Sequence, residues 1–184
     1  MANLNISIAV CGSASAQLPQ TFETKAWSIG KAIAEQGATL FTGATAGFPL
    51  AAVRGCNSVG GRSVGIAPGE SAEDQFNRFE NIDLSLLSHV IFTGVGYKMR
   101  DIVMIRSVDA IIAIGGGVGT LVEISTAIDI RKPIGILQGS GGASDLYEQI
   151  NEISHRNKGV FIIDKNPEKL VKKLISYLSE QNKK

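Results

Sequence analysis

The apolar residues of this chain fall into short β-branched runs that alternate with longer stretches of helical spacing. Runs at 5–10, 39–42, 63–67, 89–92, 110–114, 133–137 and 160–163 are mostly apolar at nearly every position, as strands buried on both faces of a parallel sheet are. Between them, the spacing predicts helices over 18–36, 48–59, 99–108, 120–131 and 145–157; the first has Trp27, Ile29 and Ile33 among its apolar positions and is stopped by Gly37. The last helix has the clearest punctuation. Asn166 can cap it, Pro167 suits its first turn, and Leu170, Leu174, Ile175 and Leu178 form one apolar stripe. Lys169, Lys172, Lys173, Lys183 and Lys184 then read as a solvated face and tail. This alternation, with short connections, predicts one α/β domain spanning 1–184: Rossmann-like and doubly wound, with a mainly parallel sheet and helices on both faces. In such sheets ligands sit beyond the carboxyl ends of the strands.

A length of 184 residues agrees with a single domain, and no linker, charge block or repeat divides the chain. Eighteen basic against 17 acidic residues leave a net charge of +1, which disfavours nucleic acid or an anionic membrane as partner and points to a small-molecule ligand. No apolar run approaches the ~18 residues of a membrane span. The first strand begins too near Met1 for a secretory signal, so a cytoplasmic protein is expected. Cys11 and Cys56 stand far apart without a CxxC or a His cluster, so neither a disulfide framework nor a zinc site is expected; no metal and no cofactor are expected for the chain.

Glycine is the one compositional departure, 21 of 184 residues against a usual ~7%. The glycines are bunched at four strand exits: Cys11-Gly12-Ser13-Ala14-Ser15, then 42–47 with Gly43 and Gly47, then Gly115-Gly116-Gly117-Val118-Gly119-Thr120, then 139–144. Most open a helix, so backbone N–H groups and the positive end of the helix dipole would face one shared crevice suited to a phosphate. Tight turns alone are the bland reading of the same glycines. Neither GxxxxGK[ST] nor GxGxxG is present.

The third turn carries the most chemistry. Thr120 and Glu123 stand three apart on the helix it opens, either as a functional pair on one face or as a capping box. On both readings the carboxylate is expected to be ionised near neutral pH, because a helix N-terminus favours negative charge. Upstream, Gly94-Val95-Gly96-Tyr97-Lys98-Met99-Arg100-Asp101 precedes the strand before the glycine loop. Arg100 from this stretch would meet an anionic ligand or Glu123, or else sit in a surface ion pair with Asp101.

At these residues the chain resembles the LONELY GUY family and its wider relatives, long labelled possible lysine decarboxylases. The family's PGGxGTxxE motif is matched by 115–123 with glycine in place of the leading proline, and the arginine of its upstream Arg-Lys motif falls on Arg100. Gly12 and Ser13 resemble the family's first loop and 43–47 its second; the likeness covers roughly 6–137. The resemblance implies cleavage of the N-glycosidic bond of a nucleoside 5′-monophosphate, giving free base and ribose 5-phosphate. It implies Arg100 and Glu123 as the catalytic pair. Gly116, Gly117, Gly119 and Thr120 would form the phosphate cradle, with Gly12, Ser13 and Gly43 nearby, and the protein would be a homodimer.

Asp101 stands where catalytic members have lysine, exchanging a cation for an anion. The stretches 92–96 and 115–117 are closer to a branch that includes a molybdenum cofactor carrier, which implies a non-catalytic carrier or sensor of a phosphorylated ligand as the alternative. A decarboxylase is disfavoured because no lysine is marked for a Schiff base. An interaction module with a vestigial crevice is the third reading.

The remaining residues are ordinary. His89, at the start of a strand, and His155, late in a polar helix, read as packing or surface, and Cys11 reads as a small buried apolar residue. Asp101 would either donate a proton to a departing base or pair locally with Arg100. The loop 68–80 reads as a lid or as solvated chain.

Overall fold

The computed structural model of the chain describes residues 6–15, 19–78 and 82–181. Asn5, the predicted helix start at 18, the end of the 68–80 loop, Lys183 and Lys184 lie outside the described residues. Among those described, seven parallel strands form one sheet: β1 (Ser7–Gly12), β2 (Thr39–Thr42), β3 (Ser63–Ala67), β4 (His89–Phe92), β5 (Ala110–Ile114), β6 (Pro133–Leu137) and β7 (Val160–Asp164). Their order is β4-β3-β2-β1-β5-β6-β7. The chain runs outward from β1 to β4, returns beside β1 as β5, and runs outward again to β7. The reversal opens a crevice at the carboxyl ends of β1 and β5. The connecting helices are α1 (Gln20–Glu35), α2 (Phe48–Asn57), α3 (Ala72–Arg78), α4 (Gly96–Ser107), α5 (Val118–Asp129), α6 (Tyr147–Ile153) and α7 (Pro167–Gln181).

Alternation along each strand sends neighbouring side chains to opposite faces and builds two cores. Ile8 and Val10 of β1, Leu40 and Ile112 pack with Ile29 and Ile33 of α1 and Leu170 and Leu174 of α7. Ala9 and Cys11 of β1, Ile111 and Ala113 pack instead with Met104 and Ile105 of α4 and Ile124 and Ile128 of α5. Cys11 therefore faces α4 and α5, the helices that carry the charged site residues. On the other face, α1 and α2 approach at backbone distance, because a Cβ on Gly30 would lie 1.8 Å from the Ala52 carbonyl oxygen. The N-cap of α7 forms as its sequence requires, with Asn166 Oδ1 accepting from Lys169 N–H at 2.8 Å.

The differences from the predicted elements have local causes. β1 extends two residues further, so Cys11 and Gly12 belong to the strand and not to the turn. β4 and β7 are edge strands and less buried than the central ones; His89 is exposed. The 68–80 loop contains α3, whose Asp74 accepts from Glu70 N–H and pairs with Arg78 at 3.0 Å. The segment 145–157 is not one helix: a 3-10 turn (Gly142–Leu146) leads into α6, which ends at Ile153 and leaves His155 exposed beyond it. Among the described residues no helix is long and apolar enough to cross a membrane.

Candidate functional site

Three of the four glycine turns meet around a cavity of about 380 Å³ at the carboxyl ends of β1, β2 and β5. The first supplies Gly12, Ser13 and Ala14, the second Gly43 and Thr45, and the third Gly117, Gly119, Thr120 and Glu123. The opposite wall is the start of α4, with Tyr97, Lys98, Arg100 and Asp101.

The donors for an anion come chiefly from α5. Its N-cap is Gly117, with no side-chain capping bond, so the N–H groups of its first turn keep no intrahelical acceptor. The capping-box reading of Thr120 and Glu123 fails for the same reason: Thr120 is the third helical residue and both side chains line the cavity. α2 contributes less than its glycine-rich approach suggests. Phe48 N–H is already donated to the Ser13 carbonyl at 2.9 Å, and Pro49 has no N–H.

The fourth turn is a brace and not a wall. Gly115 N–H donates to Oγ of both Ser140 and Ser144 at 2.9 Å. In return Ser144 N–H donates to the Gly115 carbonyl at 3.0 Å and Ala143 N–H to that of Gly116 at 2.9 Å. Gly116 accordingly does not line the cavity. Gly115 and Gly116 have φ of 54° and 84°, left-handed conformations that glycine accepts without strain. Proline, the LONELY GUY residue at the first of these positions, can neither adopt that φ nor supply the N–H for the two serines. Gly115→Pro is therefore expected to destabilise the fold, by ~2–3 kcal/mol, despite restoring the family pattern; a denaturant melt would measure it.

Arg100 is 4% exposed and its Nη1 lies 3.3 Å from Asp101 Oδ1, so the pair forms, but buried and not at the surface. The guanidinium rests against the backbone of Gly43, where a Cβ would stand 1.7 Å from Nη1, and beside the Tyr97 ring, 5.9 Å from Cζ to its centroid. Its Nε is buried with no hydrogen-bond partner among the described residues.

Glu123 is 7% exposed and lies beside the thiol of Cys11. Burial first, then the nearby charge of Asp101, push its carboxyl up to about 8, only partly offset by Arg100 and the thiol. The expected ionised carboxylate is thus corrected: desolvation outweighs the helix N-terminus. Burial also raises Asp101, against the pull of Arg100 and Lys98, and raises the Cys11 thiol, which makes Cys11 an inert core thiol. Among the described residues no group of histidine, cysteine or acidic side chains is arranged to hold a metal ion.

Tyr97 and Lys98 had a signal in the sequence, since they precede Arg100 and Asp101 by one helical turn. Thr45 lay within the second glycine turn, and Pro49 had no signal.

A crystal structure of the protein TM1055 is similar to this chain, with a TM-score of 0.81 and 26% identity over 93% of this chain and 99% of that one. The molybdenum cofactor binding protein of the phototrophic bacterium Rippkaea orientalis is similar with a TM-score of 0.75 and 26% identity, over 95% of this chain and 98% of that one. An uncharacterized protein of Archaeoglobus fulgidus is 34% identical over 113 residues, 61% of this chain and 68% of that protein. The profile of the SLOG cluster4 family matches residues 5–171, a span that takes in every strand of the sheet and every wall of the cavity. This chain belongs to the SLOG cluster4 family.

Proposed function

We propose that the cavity binds a small phosphorylated ligand and that the protein hydrolyses the N-glycosidic bond of a nucleoside 5′-monophosphate, releasing free base and ribose 5-phosphate. One observation carries the reading: a buried arginine with an unpartnered Nε–H shares a cavity with the uncapped N-terminus of α5. The helix N–H groups lack an acceptor that an anionic oxygen would supply, and the guanidinium places a positive charge beside them. A volume of about 380 Å³ suits a nucleotide-sized molecule better than a polymer. In this reading Gly117, Gly119 and Thr120 hold the phosphate, with Gly12, Ser13 and Gly43 completing the walls. Gly116 shapes the loop from behind. Arg100 steadies the anion, and Glu123 faces the bond that breaks.

The second reading is a carrier that binds without turnover, and two observations favour it: the similarity to the R. orientalis cofactor-binding protein, and Asp101 in a position where catalytic relatives keep a cation. Incubation with a panel of nucleoside 5′-monophosphates, followed by chromatography for free base, separates the two. Free base from any member supports hydrolysis. Thermal stabilisation without release supports the carrier. No stabilisation by any phosphate ligand, or stabilisation by oligonucleotides alone, removes both. We place the protein in the cytoplasm, consistent with two buried free thiols. We also place self-association on α4, where Met99 and Val103 stand 54% and 39% exposed one turn apart; sedimentation velocity would show a dimer.

A further inference from the structure

The cavity holds two carboxyl groups and one guanidinium, and their contacts are unequal. Asp101 Oδ1 lies 3.3 Å from Arg100 Nη1, and Lys98, one turn earlier on α4, adds a second positive charge near it. Glu123 has a different neighbourhood. From β1 it meets Cys11, a buried thiol that stays neutral. From α4 it meets the negative charge of Asp101 and the more weakly felt charge of Arg100. The β2 turn offers only Gly43 and Thr45, and the acid of the bracing turn, Asp145, is engaged with the N–H groups of Gly139 and Gly141 at 2.9 and 2.8 Å. Both acids are equally buried, at 6% and 7% exposed, but the cation is committed to Asp101, while Glu123 lies beside a like charge without a paired cation of its own.

We infer that the two acids divide their labour: Asp101 carries the negative charge of the site and Glu123 carries a proton. This rests on the hydrolytic reading and assigns its chemistry. As the C1′–N bond of the ligand breaks, its electron pair goes to the base nitrogen, which takes the proton of Glu123. Ionised Asp101 opposes the positive charge that develops on the ribose. Water then adds to C1′, and the proton it loses returns to Glu123, so the site ends as it began. The aspartate at position 101, which departs from the LONELY GUY pattern, becomes a working part of the site: burial first and its charge second keep the proton on Glu123.

The test uses the full chain with side-chain carboxyl carbons labelled by ¹³C, titrated by NMR from pH 4 to pH 10 without ligand. One glutamate carboxyl is expected to titrate near pH 8. It should be absent in Glu123→Gln and should move to lower pH in Asp101→Asn, where the neighbouring anion is gone. Absence of any carboxyl titrating above pH 6, or a high-pH transition removed by Asp101→Asn and not by Glu123→Gln, would overturn the assignment. A second readout is the pH profile of base release. kcat/KM should fall about tenfold per pH unit above the Glu123 transition, and Asp101→Asn should shift that limb downward. If no monophosphate is hydrolysed the proposed function fails, and the ligand-free titration still decides the division of labour.

Discussion

Gly43→Ala is expected to weaken phosphate binding by roughly 10–100-fold, the cost of losing a hydrogen bond to a charged group, although it adds a single methyl group. Gly43 φ is not in the left-handed region, so the substitution brings no backbone strain. Its effect is steric: the new Cβ would stand 1.7 Å from Nη1 and 2.5 Å from Cζ of Arg100, so the guanidinium must leave. Displacement separates Arg100 from Asp101 and moves the cation that lines the cavity. Isothermal titration with a nucleoside 5′-monophosphate measures the loss. A double-mutant cycle identifies the cause, since Gly43→Ala should cost nothing further in an Arg100→Ala background. Additive losses would mean that Gly43 touches the ligand itself, the role that the sequence pattern alone assigns to it.

The second large effect has opposite signs for stability and activity. In the folded state Glu123 keeps its proton up to about pH 8, whereas the unfolded chain releases it near 4.5. Between those values the folded state binds more protons than the unfolded one. Stability therefore falls as pH rises from about 4.5 to about 8, and it is flat beyond, so far as this group is concerned. Glu123→Gln removes that dependence. The variant should match the wild type near pH 4 and exceed it at pH 9 by roughly 2–4 kcal/mol, or roughly 5–10 °C in Tm. Base release should fall ~100-fold or more in the same protein, because an amide is far too weak an acid to protonate the departing base. Equal melting temperatures across the whole range would show that the carboxyl is ionised at little cost where it lies. A gain in stability that tracks pH is a readout that loss of packing would not produce.

How much of this was legible beforehand depends on whether neighbours in the chain or neighbours in space decide a feature. The bounds of β2 through β6 follow from runs such as Ala110–Ile114 and from the turn residues that close them, because the backbone signal is local. Asn166 and Pro167 announced the start of α7 for the same reason. The 68–80 loop concealed α3, whose seven residues have too few apolar positions to show a period; only Gln75 is buried in it. The four glycine turns looked equivalent, yet Ser140 and Ser144 reach back to one N–H, that of Gly115, and withdraw the fourth turn from the cavity. Gly43 and Gly116 looked alike in the sequence; in space Gly43 lines the cavity and also seats Arg100, while Gly116 supports the loop from behind.

The sequence by itself determined the alternation of strands and helices, the end of the sheet at which small residues gather, and the chemical types available there: an arginine, two acids, a thiol and a helix start. Those properties reside in single residues and their near neighbours. Only the tertiary structure decided which cation meets which acid and where the proton rests. Residues 11, 101 and 123 come from three different elements and residue 43 from the turn after β2, and the charge at the site depends on how these groups bury and surround one another.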